Sequence, residues 1–434
     1  MRLKYLFLGL AAILLGSCSD DSDPIPELEI TIDTGVQTDM KAASGGEYSI
    51  PVTCSSTWEA VSSATWVEIS AESNLLKLAV SENLSRNPRS AKVTLTSADN
   101  LTQEINVEQE AYAYSESHRY KLPVVFHVLY WNANNTQHYI KEGHLQTVID
   151  GVNKYYANCG VDINVEFVMA TTAPDGSKLE EPGVNRVKWE YSTMDTSDFM
   201  SSGKSEYKNL LWNTDEYVNI VLYNFRDDAV MGIAQFPWLP APYQLDGLSI
   251  APQGADLNAN PYPQCVCINN LYIYDMPEGD DYSMSNVAVT LSHELGHFLG
   301  LYHAFNQTLQ GYTNTNEDTD YCTDTPPYNK SLYDTKLVNY LTYNGYITKK
   351  SSDGYKEYVM RTNSKTNEQF RSTNIMDYAI SDADKFTPEQ AKRVKYVLQH
   401  GLFIPGPKDY TGSNFTSTKG TAASGFTFTP HVIE

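Results

Sequence analysis

The feature that most constrains this 434-residue chain is a histidine-rich string at residues 292–303, SHELGHFLGLYH. His293 and His297 are four positions apart, so on a helix both imidazoles project from one face and can bind one metal ion. Gly300 can adopt a left-handed conformation that ends such a helix. The turn that follows brings His303 towards the same point, and the string therefore predicts a helix, a turn and a metal site.

The ligand set predicts a catalytic zinc ion. Three protein ligands leave a fourth position open for water, whereas structural zinc sites are closed by four. Glu294 follows the first histidine and would lie beside the metal, where its carboxylate can accept a proton from the water. The alternative is three ordinary core or surface histidines. The complete pattern, with the glycine and the third histidine, is too specific for that alternative to be favoured.

A second motif lies downstream, where residues 374–378 read NIMDY. An N-capping sequence follows it, with Thr387 as the N-cap, Pro388 as the first helical residue and Gln390 completing a capping box. The spacing predicts a helix that runs from there to about Gln399.

Together these motifs resemble the metzincin class of zinc proteases, and within it the pappalysin family. The resemblance covers about residues 120 to 400 and rests on residues 123–128 (PVVFHV), 292–305, 320–326 (DYCTDTP) and 376–378 (MDY). Ala304 is a small departure, since family members more often have threonine there. The resemblance implies an α/β catalytic domain over residues 119–405, with a mixed sheet, an active-site helix and a Met-turn.

The resemblance also implies roles for single residues. His293, His297 and His303 would bind zinc, Glu294 would be the general base of peptide hydrolysis, and Met376 would form an apolar floor below the ligands. Tyr378, two positions after that methionine, would either donate to the oxyanion of the tetrahedral intermediate or only pack beside the metal. Substrate would bind as an extended strand along a sheet edge.

Two further sites are predicted, a calcium site and a specificity pocket. Asp318, Asp320, Asp324 and the hydroxyl of Thr325 are hard oxygen ligands of the kind calcium prefers, and the resemblance implies calcium near this loop. A solvated acidic loop is the alternative. Asp382 would favour Lys or Arg in the residue after the scissile bond by charge pairing, or else only solvate the entry to the next helix.

The N-terminus predicts export. Residues 1–17 combine Arg2 and Lys4 with an apolar stretch too short to span a membrane, which is typical of a signal peptide. The following Cys18 completes a resemblance to the lipobox of bacterial lipoproteins, which implies cleavage before it and lipidation of its thiol. An ordinary signal peptide is the alternative. The acidic linker, residues 18–26, resembles the export signal of Bacteroidetes surface lipoproteins, so we expect an outer-membrane lipoprotein displayed on the cell surface.

Residues 27–111 form a separate block of short segments in which apolar and polar residues alternate, separated by turn clusters. This pattern predicts an immunoglobulin-like β-sandwich. With Trp58 and Trp66 eight positions apart, the block resembles a BACON domain, which implies binding of carbohydrate or mucin. Burial of both tryptophans in the core is the favoured alternative, and it would make the domain a spacer.

After this block the hydrophobic pattern of the sequence changes to one typical of an α/β domain. Residues 122–129 are a nearly continuous apolar run, typical of a strand covered on both faces. Helical spacing follows at 140–158, and strand-like segments follow at 163–168 and 218–223. Residues 171–212 are polar and predict little, and residues 406–434 are interpreted as a C-terminal tail.

Charge and cysteine usage narrow the classes of function. The formal charge of −22 argues against a nucleic-acid partner, because duplex binding needs a cationic surface. Besides the lipidated one, five cysteines remain, which allows at most two disulfides of undetermined pairing. Cys265 and Cys267 would point to the same face of an extended segment, and Cys54 is interpreted as a small buried hydrophobe.

The leading hypothesis is therefore a surface-anchored zinc endopeptidase that acts on extracellular proteins. The alternative is a glycan- or mucin-binding surface lipoprotein whose protease domain is secondary or latent. A glycosidase is not favoured, because the sequence shows no carboxylate pair in a distinctive context. No cysteine-switch segment is evident before Arg119, so either the β-sandwich covers the cleft or the enzyme is active as exported.

Overall fold

The computed structural model describes residues 29–32, 40–83, 88–111, 119–305, 307–308, 311–312, 319–408 and 426–433, the side chains of 307–308 and 311–312 excepted. The predicted signal peptide, Cys18, the acidic linker and Asp318 lie outside the described residues. Within the described part of the chain, no helix has the length and apolar character needed to cross a membrane.

The N-terminal part is built from two antiparallel sheets that share one core. Its strands are β1 (Ile30–Ile32), β2 (Gly46–Cys54), β3 (Trp58–Ser62), β4 (Val67–Glu72), β5 (Leu75–Val80), β6 (Arg89–Ser97) and β7 (Thr102–Gln109). One sheet has the order β1-β2-β5-β4 and the other the order β3-β6-β7. Leu78 of the first sheet and Val93 of the second are among the buried residues between them. The alternating sequence pattern predicted β1, β2, β5, β6 and β7, because side chains of a strand point alternately inwards and outwards. It did not predict β3 and β4.

Both tryptophans of this part pack against its core and remain half-buried. The Trp58 indole nitrogen donates to the Ser73 carbonyl at 3.2 Å. The Arg89 guanidinium lies 4.3 Å from the centroid of the Trp66 ring. One face of that ring is therefore covered by a cation, which favours the packing interpretation over a platform for a sugar.

The second part alternates strands and helices. Its first elements are β8 (Tyr120–Tyr130), α1 (Thr136–Tyr139), α2 (His144–Asn158), β9 (Val165–Met169), β10 (Val184–Lys188), α3 (Asp198–Ser201), α4 (Ser205–Leu210), β11 (Val218–Tyr223), β12 (Gly232–Gln235), β13 (Trp238–Pro240), β14 (Ser249–Ala251) and β15 (Val266–Asn269). The later elements are α5 (Val287–Phe298), β16 (Gln307–Thr308), β17 (Gly311–Tyr312), α6 (Lys330–Asn344), α7 (Asp353–Tyr358), β18 (Met360–Thr362), β19 (Gln369–Arg371), α8 (Pro388–His400) and β20 (Val432–Ile433). Two short 3₁₀ helices cover Leu257–Ala259 and Asn270–Tyr272.

The central sheet is mixed. It has the order β10-β8-β11-β15-β12-β20, and β9 pairs with the first half of β8. The strands from β10 to β15 are parallel, whereas β12 runs antiparallel to β15 and β20 antiparallel to β12. Every residue of β11 is buried, as expected for a parallel strand covered on both faces.

The elements of the second part that were predicted differ from the observed ones mainly at their ends, whereas others, such as α6 and α7, were not predicted. Helix α2 starts at His144, not at residue 140, because Ile140 has φ +49° and Gly143 has φ +78°, which a helix cannot accommodate. Strand β9 starts after Asn164, whose φ is +59°. Helix α8 has the predicted capping box and Pro388 at its start.

Two stretches contribute strands or core residues to the second part that were not predicted from their sequences. Residues 184–188, inside the polar stretch that predicted little, form β10 beside β8. Residues 426–433, at the end of the segment interpreted as a tail, return to the domain, where Phe428 and Ile433 are buried. Both stretches have only a few apolar residues in a polar context, and the second is interrupted by Pro430, so neither element was placed from the sequence.

The five described cysteines form no disulfide. The sulfur atoms of Cys265 and Cys267 lie 3.9 Å apart in a buried cluster, on the same face as predicted. Cys54 is half-buried against the N-terminal core.

Candidate metal centre

Helix α5 carries the first two predicted ligands through the core of the domain. Its N-cap is Asn286, whose side-chain oxygen accepts from the amides of Ala288 and Val289 at 3.1 and 3.4 Å. The helix ends just before Gly300, whose φ is +89°. A Cβ at this glycine would lie 2.8 Å from Val397, so the turn needs both the backbone freedom and the small size of glycine.

The turn brings three imidazoles to one point. The Nε2 atoms of His293 and His297 are 3.0 Å apart, those of His297 and His303 3.1 Å, and those of His303 and His293 3.0 Å. A tetrahedral zinc ion with Zn–N bonds of about 2.0–2.1 Å separates its ligand atoms by about 3.3 Å. Within the described part of the chain, this is the one cluster of three or more His, Cys, Asp or Glu able to hold a metal.

The other ring nitrogens fix which atoms would face a metal ion. His293 Nδ1 lies 2.8 Å from the Ile375 carbonyl, and His297 Nδ1 lies 2.6 Å from the Leu301 carbonyl. A carbonyl can only accept, so each Nδ1 carries the proton and each Nε2 keeps its lone pair for a metal. The His303 ring stacks on Phe305 with centroids 4.7 Å apart.

Burial keeps the His293 and His297 rings neutral, which is the state that binds a metal. Burial lowers the pKa of His293 to about 4. Burial also lowers the pKa of His297 well below its ordinary value, and repulsion from His303 and His293 adds to that shift.

Glu294, the predicted base, is buried against the first residue of β12. Its side chain is 3% exposed, and a Cβ built on Gly232 would lie 2.6 Å from its Cγ and 2.9 Å from its Oε1. The strand can pass this closely only because residue 232 has no side chain. Gly232 could not be predicted from the sequence, because a single glycine in a strand of four residues carries no distinctive signal.

Met376 lies fully buried against the middle of α5. A Cβ on Gly296, which lies between the two helix histidines, would be 2.4 Å from the Met376 sulfur. The Met376 carbonyl accepts from the Ala304 amide at 3.0 Å, next to the third histidine. The methionine thus contacts both chain segments that carry the ligands.

A buried ion pair supports the segment after the methionine. Arg361 and Asp377 are 0% and 3% exposed at their side chains, with Nε and Oδ2 3.4 Å apart. The guanidinium also donates to the carbonyls of Tyr378 and Ile380 at 3.2 and 2.9 Å. Arg361 could not be predicted from the sequence, since nothing in its polar neighbourhood distinguishes it from a surface arginine.

Tyr378 lies beside the three histidines. Its ring centroid is 5.6 Å from that of His293 and 4.7 Å from that of His303, and the side chain is half-buried. The Lys330 ammonium lies 5.0 Å from the same ring. Packing beside the metal site and donation to a substrate are both compatible with this place.

The predicted calcium ligands have protein partners. Asp320 accepts from the Cys322 amide at 2.9 Å and from the Thr325 hydroxyl at 2.6 Å. Asp324 accepts from the Glu389 amide at 2.9 Å, in the first turn of α8. The two carboxylates thus organise a loop and a helix start, and a calcium ion here stays a prediction.

Asp382 lines a cavity next to Tyr378 together with Lys350. Its carboxylate accepts from Arg371 at 2.6 and 3.0 Å and from the Tyr355 hydroxyl at 2.7 Å. Burial alone would raise the pKa of Asp382, but the hydrogen bonds from Arg371 and Tyr355 outweigh it and lower the pKa. This carboxylate therefore stays ionised, with much of its charge compensated.

Comparisons with solved structures give only weak likenesses. A protein from Bacteroides thetaiotaomicron solved by NMR is 18% identical over 23% of this chain and 98% of its own, with a TM-score of 0.18. A Bacteroides ovatus GH5 xyloglucanase in complex with a XXXG heptasaccharide is 15% identical over 46% of this chain, with a TM-score of 0.18. A 2,6-sialyltransferase from a Vibrionaceae Photobacterium species is 9% identical over 43% of this chain, with a TM-score of 0.13. The alignments cover only 39% and 34% of the two enzymes.

No curated protein gives a significant match. In contrast, residues 202–399 match the model of a peptidase family described as pregnancy-associated plasma protein-A. The matched stretch contains the three clustered histidines, Glu294 and Met376. The family match and the three-histidine cluster together support a pappalysin-family metalloprotease domain in residues 202–399 of this chain.

Proposed function

We propose that this chain is a zinc endopeptidase that hydrolyses extracellular proteins from the bacterial surface. The observation that carries the proposal is the convergence of three imidazole Nε2 nitrogens within 3.1 Å of one another, beside a buried glutamate. This donor set fits zinc, and its three ligands leave a coordination position for water or substrate.

His293, His297 and His303 hold the metal in this proposal, with Met376 as the apolar floor below them. Bound zinc supplies Lewis-acid chemistry, lowering the pKa of a water molecule and polarising a peptide carbonyl. The Glu294 carboxylate takes a proton from the attacking water and then delivers it to the amine nitrogen that leaves. Tyr378 either donates its phenolic proton to the developing oxyanion or packs against the ligands.

The cavity beside Tyr378 receives the residue after the scissile bond in this proposal, and Asp382 biases it towards Lys or Arg. Pairing with Arg371 compensates the carboxylate, so we expect a small preference in the wild type. Arg371→Ala should strengthen the preference and Asp382→Asn should abolish it. Mapping the cleavage sites in a peptide library by mass spectrometry checks both, and identical sites in all three proteins would remove Asp382 from the specificity.

The anchoring part of the proposal is supported by sequence alone. We propose that Cys18 carries lipid and tethers the protein to the outer membrane, facing outwards. Metabolic labelling with a fatty acid, compared between wild type and Cys18→Ala, tests the anchor, and protease digestion of intact cells tests the orientation. A glycan array with residues 27–111 tests whether the N-terminal part binds glycan or mucin or serves as a spacer.

Hydrolysis of casein by residues 19–434, with and without a chelator, is the central experiment. Glu294→Ala is run beside the wild type, with zinc measured in both. We expect chelator-sensitive cleavage that the substitution abolishes while zinc stays near one per chain. Bound zinc without cleavage in the wild type would refute an enzyme active as exported. Absence of zinc would refute the ligand assignment.

A further inference from the structure

Strand β12 has two edges, and a different partner occupies each. One edge pairs with β15 in the interior of the sheet. The other pairs antiparallel with β20, in the register Ala234 to Ile433 and Gln235 to Val432. Residues from the far end of the described chain therefore cover the edge that the strand would otherwise present.

Specific contacts hold this segment in place. The Phe236 amide donates to the His431 carbonyl at 2.9 Å, continuing the ladder by one residue. The His431 amide donates to the Gln235 side-chain oxygen at 3.0 Å. Two apolar side chains anchor the segment: Ile433 in the main core, and Phe428 against the Trp238 ring with centroids 5.0 Å apart.

The covered edge is the one that leads to the metal centre. Strand β12 begins at Gly232, directly beside the Glu294 carboxylate. Since β20 runs antiparallel to it, the segment runs towards that carboxylate along the edge. The His431 ring lies 4.6 Å from the Phe236 ring, which in turn lies 5.6 Å from His297.

We propose that residues 426–433 occupy the edge of β12 on which an extended peptide pairs, and that they compete with peptide substrates for it. A strand edge offers one row of amide and carbonyl groups, so it can pair with one strand at a time. The competition rests on the proposed peptidase function, because it assumes that substrates approach Glu294 along this strand.

Residues 426–433 make few contacts with the edge of β12, so a peptide can displace them. Its strand has two residues, Val432 and His431 are half-buried, and the deeply buried anchors are Phe428 and Ile433. The apparent substrate affinity then equals the affinity of the open edge multiplied by the fraction of molecules whose edge is open. Activity should rise when an anchor is removed.

The test compares Ile433→Asp with Thr429→Asp in the otherwise complete chain. Both add the same charge to the same segment, but Thr429 is exposed and anchors nothing. Casein cleavage is measured together with amide hydrogen exchange of β12. We expect about tenfold faster cleavage by Ile433→Asp than by Thr429→Asp or wild type, as for an edge open in about one wild-type molecule in ten. A synthetic peptide of residues 426–433 should bring the rate back down.

The two variants could cleave casein at equal rates although β12 amides exchange faster only in Ile433→Asp. This result would refute the proposed competition and would not contradict the peptidase function. If none of the three proteins cleaves casein, the proposed activity towards casein fails, and hydrogen exchange of β12 alone decides whether the segment competes with an extended peptide for the edge. In that case the insulin B chain serves as an extended peptide. If the insulin B chain slows amide exchange of β12 in Ile433→Asp but not in wild type, the proposal is supported. Equal slowing in both proteins would overturn the proposal.

Discussion

The close passage of β12 beside Glu294 makes Gly232→Ala a sharp test of the proposed mechanism. The added methyl carbon would lie 2.6 Å from the glutamate Cγ, whereas non-bonded carbon atoms are normally at least about 3.5 Å apart. Pairing with β15 holds the strand in place, so the carboxylate must move by about 1 Å. A displacement of this size in a reacting group costs about 100-fold in rate, or about 2.7 kcal/mol.

We therefore expect kcat for a casein-derived peptide to fall by about 100-fold in Gly232→Ala while zinc content stays near that of the wild type. Gly151→Ala is the matched control. It places a methyl group 2.9 Å from the Ala288 Cβ, on the same helix as Glu294 but away from its side chain. This control should lower stability without a selective loss of kcat.

A double-mutant cycle identifies the cause. Glu294→Asp shortens the acid, so its cost should be smaller when Gly232→Ala is already present, and the two effects should not add. Wild-type kcat in Gly232→Ala would refute the reasoning, because it would mean that the position of the carboxylate does not matter. If Gly232→Ala loses zinc as well as kcat, the reasoning is also refuted, because the substitution would then act on the zinc ligands and not on the Glu294 carboxylate.

Three further predictions concern stability. Arg361→Leu leaves Asp377 buried without its cation and should lower the free energy of unfolding by about 3–5 kcal/mol in urea titrations; a loss below about 1 kcal/mol would contradict it. Gly296→Ala drives a methyl group against Met376 and should cost about 1–3 kcal/mol and weaken zinc retention during dialysis; unchanged values of both would argue against close packing there. Burial lowers the pKa of His127, in strand β8, to about 4, so below pH 6.5 the unfolded chain takes up the proton first; between pH 6.5 and about pH 4 the stability of the wild type should fall by up to about 3 kcal/mol more than that of His127→Gln, and parallel profiles of the two proteins would show that the ring protonates while folded.

Local sequence patterns predicted much of the candidate metal centre. The spacing of His293 and His297 and the glycine after them predicted a helix, a turn and a common ligand point, all of which the structure contains. The capping box at Thr387 was equally readable. Such features depend on residues within one or two turns of each other, so the sequence alone specifies them.

Other parts of the centre depend on contacts between distant segments. Gly232 matters only because Glu294 packs against it, and Gly296 only because Met376 lies below. Arg361 is indistinguishable from a surface arginine until the fold places it against Asp377. Such positions are defined by what the tertiary structure brings together, which neither composition nor periodicity encodes.

The pairing of β12 with β20 also bears on how the chain folds. The hydrogen bond between His431 and Gln235 joins residues 196 positions apart. During synthesis, β12 emerges long before its outer partner, so an unpaired edge precedes the completed sheet. Contacts this distant in sequence form slowly, and open edges invite association between chains. We therefore expect newly made chains to need protection from aggregation until residues 426–433 have emerged.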